Sequence, residues 1–167
     1  MLADLQKGEY GYIARMERHL KHPVEQVWST LTENDKLAQW FPELRVKDLR
    51  EGGTMIFDMQ NGTFEEMVIS DCKELAVLEY EWGEDRVRFE LAPDSAAECR
   101  LIFLERIKNI TDHTPKDLAG WHVCLDVIEA QLDGRTLESR KQEWEKWYES
   151  YKKLTREILE SGSHGPS

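Results

Sequence analysis

The carboxylates Asp58, Glu65 and Glu66 fall inside stretches that read as β-strands. A strand carboxylate turned inward would become a lone polar anchor with a raised pKa, suited to acid or base work. The five histidines offer no ligand set, because His19 and His22 stand three apart next to Pro23 and the others are scattered. No metal is therefore expected. His122, beside Trp121 in a helical stretch, is the histidine expected nearest to a pocket, and Cys124 on the same helix is expected to be buried and inert. Serines, histidines and aspartates are all present, but no Gly-x-Ser-x-Gly or Cys-His arrangement organises them. Gly52-Gly53 lacks the lysine and the spacing of a phosphate loop. The residues display no convergent catalytic set, so no cofactor is expected and binding comes ahead of catalysis.

Large apolar side chains carry more information. Trp40, Phe41, Met55, Phe57, Met59, Met67, Tyr80, Trp82, Phe89, Phe103, Trp121 and Leu125 all fall on faces expected to point inward. They are either ordinary core or the lining of a ligand site, and spacing does not separate the two. Methionine adapts to irregular shapes, and Met55, Met59 and Met67 sit in two adjacent strands. The strand residues Arg86, Arg88 and Arg100 alternate onto the opposite face, so no charge clamp is expected. The ligand that fits is an uncharged or weakly polar aromatic or acyl compound, bound with little dependence on salt.

These residues need elements to position them. Tyr12, Ala14, Met16 and Leu20 alternate with polar residues as a half-buried strand does. Pro23 then opens a short helix carrying Val24, Val27, Trp28 and Leu31 on one face, and Thr32 with Asp35 resembles a capping box for a second one. About six strands follow, around Leu44, Met55, Met67, Leu78, Phe89 and Leu101, joined by Gly52-Gly53, Asn61-Gly62, Gly83-Glu84-Asp85 and Pro93-Asp94-Ser95. Turns that short make an antiparallel meander. Thr114 as N-cap and Pro115 as first helical residue start a long helix with Leu118, Trp121, Leu125, Ile128 and Leu132, ending at Asp133-Gly134. A second long helix sets Trp144, Trp147, Tyr148 and Tyr151 on one face, either as core or as an interface with a second copy or another protein. Residues 161–167 read as a frayed tail.

The class is α+β: a curved antiparallel sheet wrapped around a long C-terminal helix, with two short helices after the first strand and an extra helix at the end. A twisted meander needs a cover for its apolar face, and the helix starting near Pro115 is long enough to supply it. The 167 residues, 40% of them hydrophobic, suit one domain over 1–160. With 22 basic against 33 acidic residues and a net charge of −11, the chain is repelled by phosphate backbones, so no nucleic-acid partner is expected. Cys72, Cys99 and Cys124 are widely spaced and odd in number, the pattern of a reducing compartment. No signal peptide or membrane-spanning run is apparent, so a cytoplasmic protein without integral membrane association is expected.

Val24-Glu25-Gln26-Val27-Trp28, then Leu31-Thr32 and Trp40-Phe41, resemble the opening helices of the SRPBCC, or START-like, superfamily. Gly120-Trp121 with Leu125, Ile128, Leu132 and Asp133-Gly134 resembles the C-terminal helix of the branch related to the heat-shock-protein-90 ATPase activator. The resemblance runs from Ile13 to Gly134 and implies a helix-grip fold with a cavity between sheet and long helix. For function it implies a range: a carrier of lipid-like or polyketide-like ligands first, then a protein-interaction module allied to a chaperone activator, then a cyclase- or hydrolase-type enzyme. The activator's separate N-terminal domain is not represented in these 167 residues, which weighs against the second role.

Overall fold

In a computed structural model that describes residues 2–163, ten residues of regular alternation, Gly11–Leu20, form strand β2 and bury Ala14, Met16 and Leu20. Before it, Asp4–Gly8 forms β1, a strand that no periodicity announces and that exists by pairing with β2. After Pro23, α1 (Val24–Thr32) and α2 (Asn34–Trp40) bury Val27, Trp28, Leu31, Leu37 and Trp40. The expected capping box between Thr32 and Asp35 does not form. The Thr32 hydroxyl donates to the Trp28 carbonyl within its own helix, and α2 starts after Glu33 without a side-chain cap.

The meander continues through β3 (Leu44–Asp48), β4 (Thr54–Asp58), β5 (Phe64–Lys73), β6 (Val77–Trp82), β7 (Asp85–Pro93) and β8 (Cys99–Ile107). Spatial order is β1-β2-β8-β7-β6-β5-β4-β3, eight strands and every neighbouring pair antiparallel. Register shifts in β3 and β5 bend the sheet. At the first turn Gly52 sits at φ +82°, and a Cβ on Gly53 would lie 2.1 Å from the Asp48 carbonyl, so both glycines are required there.

Met59 departs from its expected inward position. The Gln60 N–H donates to Asp58 and Gln60 turns to φ +65°, so the pleat of β4 ends at Asp58. The Asn61-Gly62 turn thereby belongs to a longer loop, and Met59 lies in it, 45% exposed.

Helix α3 (Thr114–Leu132) lies across the concave face with Trp121, Leu125 and Ile128 buried. Its N-cap is His113 rather than Thr114. The Thr114 hydroxyl instead accepts the Thr111 N–H. Trp121 through Leu125 are all buried, because α4 (Arg140–Ser163) packs on α3 from the side away from the sheet. The extra helix thus completes the cover of α3. It extends to Ser163, three residues into the stretch expected to fray, and 164–167 lie outside the described residues. No helix among the described residues is long and apolar enough to cross a membrane.

Candidate functional site

Trp40, Tyr80, Phe89, Phe103 and Trp121 are each at most 2% exposed. Trp40–Phe89, Tyr80–Phe89, Phe89–Phe103 and Phe103–Trp121 meet at 6.2, 6.4, 5.3 and 5.0 Å between ring centroids. Met55, Met67 and Leu125 join them in the core, with at most 4% of their surface exposed. Contacts of this density are those of a packed interior. Between the sheet and the middle of α3, the space expected to hold a ligand is occupied by side chains.

Open volume lies one layer further out. A cleft of about 470 Å³ runs between α3, the start of α4, the end of β6 and Phe41 just beyond α2. Phe41, Trp82, Trp121 and Trp144 wall it. Phe41, Trp82 and Trp121 come from the residues singled out in the sequence, together with Phe57, which backs Phe41 and Trp82 at 5.9 and 5.8 Å. Trp144 belongs to the aromatic face of α4. It stacks on Tyr148 of its own helix, with centroids 5.0 Å apart, and its indole N–H reaches across to the Lys116 carbonyl of α3 at 3.3 Å. Gly120 lines the cleft as well, and a Cβ there would meet nothing within 4 Å.

The cleft has two unlike ends. At one, Asp117 accepts the Trp82 indole N–H at 2.9 Å. Behind it lies Glu105, completely buried, with neither carboxyl oxygen hydrogen-bonded to a conventional donor. Burial holds the Glu105 carboxyl well above the usual carboxylate range, and the charges of Asp117 and Asp85 push it further. Its environment therefore favours the protonated form. Asp85 is itself raised by burial, although it accepts the Lys108 N–H at 2.9 Å.

At the other end Arg140, Lys141 and Cys124 line the cleft. Arg140 donates to the Trp40 carbonyl at 2.8 Å and approaches the Cys124 sulfur at 3.4 Å. Burial pushes the Cys124 thiol up to about 12 despite that guanidinium, so it stays protonated and inert, as expected. Basic residues thus reach the cleft from a helix that strand parity did not consider.

The strand carboxylates do not enter the cleft. Glu65 and Glu66 are exposed, Glu66 pairing with Lys47 at 2.8 Å, and Asp58 caps the Gln60 N–H. Glu105 is the acid that the sequence reading missed. Its signal was present: β8 buries Cys99, Leu101, Phe103 and Ile107, and Glu105 shares their parity.

His122 does not line the cleft either. It stacks on Trp147 at 3.9 Å, and its Nδ1 lies 2.7 Å from the Tyr151 hydroxyl, which also accepts the Ala3 N–H at 2.9 Å. Burial, aided by Arg18 and Lys146, pushes His122 down to about 3, so the ring is neutral. Nδ1 and the Tyr151 hydroxyl share a hydrogen bond, and Nε2 lies 3.8 Å from Asp126, which accepts from Arg18 at 3.1 Å. This chain of contacts ties α4 to α3, β1 and β2. It is a structural lock. No group of His, Cys, Asp and Glu able to hold a metal occurs among the described residues.

Several solved structures share this architecture. EF2215 from Enterococcus faecalis, a conserved protein of unknown function, aligns at TM-score 0.80 and 27% identity over 92% of this chain and 91% of its own. CalU16 from Micromonospora echinospora aligns at 0.69 and 19% identity over 91% and 94%. DynU16, a protein in the dynemicin biosynthetic locus, aligns at 0.61 and 19% identity over 72% of this chain and 47% of its own. The last two likenesses show the fold alone. A comparison with curated proteins finds no match. Residues 21–133 match the family profile "Activator of Hsp90 ATPase homolog 1-like protein", and with the helix-grip architecture built around them the chain belongs to that family.

Proposed function

We propose that this chain binds a small, largely apolar molecule, aromatic or acyl in character, in the cleft between α3 and α4. One observation carries the reading: four aromatic rings, those of Phe41, Trp82, Trp121 and Trp144, wall an open cleft of about 470 Å³. That size is within the range of small-molecule sites, and apolar burial there supports micromolar affinity for a medium-sized ligand. DynU16's place in a biosynthetic locus sits alongside this reading. A protein-interaction role through the α4 aromatics has less to draw on, since Tyr151 is buried and Trp147 stacks on His122 within the chain.

Three tryptophans line the cleft, so their fluorescence should respond when aromatic or acyl probes are titrated. Amide shift changes should fall on residues 117–124 and 140–144. Trp144→Ala should weaken binding about tenfold or more in protein that circular dichroism shows to be folded. Shifts confined to the outer sheet face would defeat the proposal. A second reading, acid–base turnover in the same cleft, draws on the Glu105–Asp117 pair. Ligand recovered from incubation with unchanged mass and unchanged NMR spectrum would remove it.

A further inference from the structure

Resting on the cleft as a ligand site, we infer that the ligand carries a carboxylate, held by Arg140 at the α4 end while its apolar body lies along Trp121 and Trp144. Arg140 is a cation tethered to the fold through one nitrogen. Its Nη2 is pinned by the Trp40 carbonyl at 2.8 Å and faces the Cys124 sulfur at 3.4 Å. Nε and Nη1 have no protein partner among the described residues, and no carboxylate there comes within ion-pair distance.

Arg140 is exposed at the first residue of α4, in a chain with 33 acidic residues against 22 basic ones. Arg18, more deeply buried, meets Asp126 at 3.1 Å. Arg88 meets Asp71, Glu79 and Glu90 at 3.0, 3.2 and 2.6 Å. Arg140 alone of these three keeps its charge for something outside the chain. A planar fork held by one nitrogen and free at the others is preorganised for a carboxylate, so little rotamer freedom is lost on binding.

Position along the cleft completes the case. Asp117 lines the opposite end, and Asp117 and Cys124 are seven residues apart on α3, roughly 10 Å at 1.5 Å per residue. An anionic head at Arg140 therefore stands clear of Asp117, with Trp121 and Trp144 between them. The same acidic end rejects a second negative charge. Lys141 lines the cleft beside Arg140 and adds a mobile charge without fixing direction. One fixed guanidinium suits a monoanion better than a dianionic phosphate in a chain of net charge −11.

The experiment uses the full chain and three probes of one shape: naphthalene-2-carboxylate, naphthalene-2-carboxamide and 2-naphthylmethylammonium. Affinities are read by calorimetry and amide shifts at pH 7 and about 0.15 M salt. The carboxylate should bind about tenfold or more tightly than the carboxamide. In Arg140→Gln that ratio should fall to within about twofold, whereas Arg140→Lys should keep an intermediate ratio because charge survives without the fork. Far-UV circular dichroism checks that each variant is folded. Equal affinity for carboxylate and carboxamide, preference for the ammonium, or a carboxylate preference that survives Arg140→Gln would each overturn the inference and leave the ligand site standing. If none of the three binds at millimolar concentration, the ligand-site reading itself falls, and this inference with it.

Discussion

Toward the sheet, Trp121 of α3 meets Phe103 at 5.0 Å and Phe89 at 6.0 Å, and the rings close over one another. Toward α4, Trp121 and Trp82 touch at 5.0 Å but stand with Trp144 and Phe41 around open space. The residue types are the same on the two sides, and the partners differ. Strands spaced ~4.8 Å apart present side chains densely enough to fill every gap beneath a helix. The first turn of α4 alone does not. Trp144 spends its stacking on Tyr148, and Gly120 withholds even a methyl group. Aromatic content makes a core or a cleft according to how many elements bring their side chains to it.

The strongest way to break this contrast is to open the sheet side. Phe103→Ala should cost about 3–5 kcal/mol of unfolding free energy, measured in urea, because a fully buried ring leaves a cavity that its neighbours only partly refill. A loss below about 1 kcal/mol would mean that the sheet-side interior is as loosely filled as the cleft.

Where the two regions meet, under Asp117, the test is one of pH. The folded state holds Glu105's pKa above that of the unfolded chain, so the native protein keeps a proton that the unfolded chain releases. The contribution of Glu105 to stability is complete below the ordinary glutamate range and is lost as pH rises through the folded value. Glutamine cannot ionise. Glu105→Gln should therefore match the parent near pH 4 and exceed it by about 1–3 kcal/mol at pH 8, on the scale of an uncompensated buried polar group. A stability difference that does not change between those pH values would show that Glu105 is not held protonated.

The smallest effect sharpens the cleft side. Gly120→Ala adds a Cβ that meets nothing within 4 Å, in the interior of a helix. It should raise stability by about 0.5–1 kcal/mol while weakening probe binding, because the methyl occupies cleft volume. Higher stability with unchanged binding would place the ligand away from the floor formed by α3.

Much of the architecture was legible in the residues themselves. Alternation along β2, β7 and β8 and the three-and-four spacing of Leu118, Trp121, Leu125 and Ile128 both survive in the fold. They do so because a strand or helix sorts its own side chains between two faces by a period of its backbone. Glu105 obeys the same parity and was readable there. β1 was not, since Asp-Leu-Gln-Lys-Gly carries no alternation and forms only against β2. Met59 left its strand because of the backbone turn at Gln60. Periodicity marked His122, Trp144 and Tyr151 as helical without showing that Tyr151 would lock His122 into the fold, or that Trp144 and Arg140 would border a cleft with Trp121. Each of those outcomes depends on where α4 docks against α3. A side chain's face is set by its own few residues of backbone, but what it faces is set by contacts between segments far apart in the chain. The sequence by itself therefore determined the elements and their buried sides, and tertiary packing decided which aromatic surface closed and which stayed open.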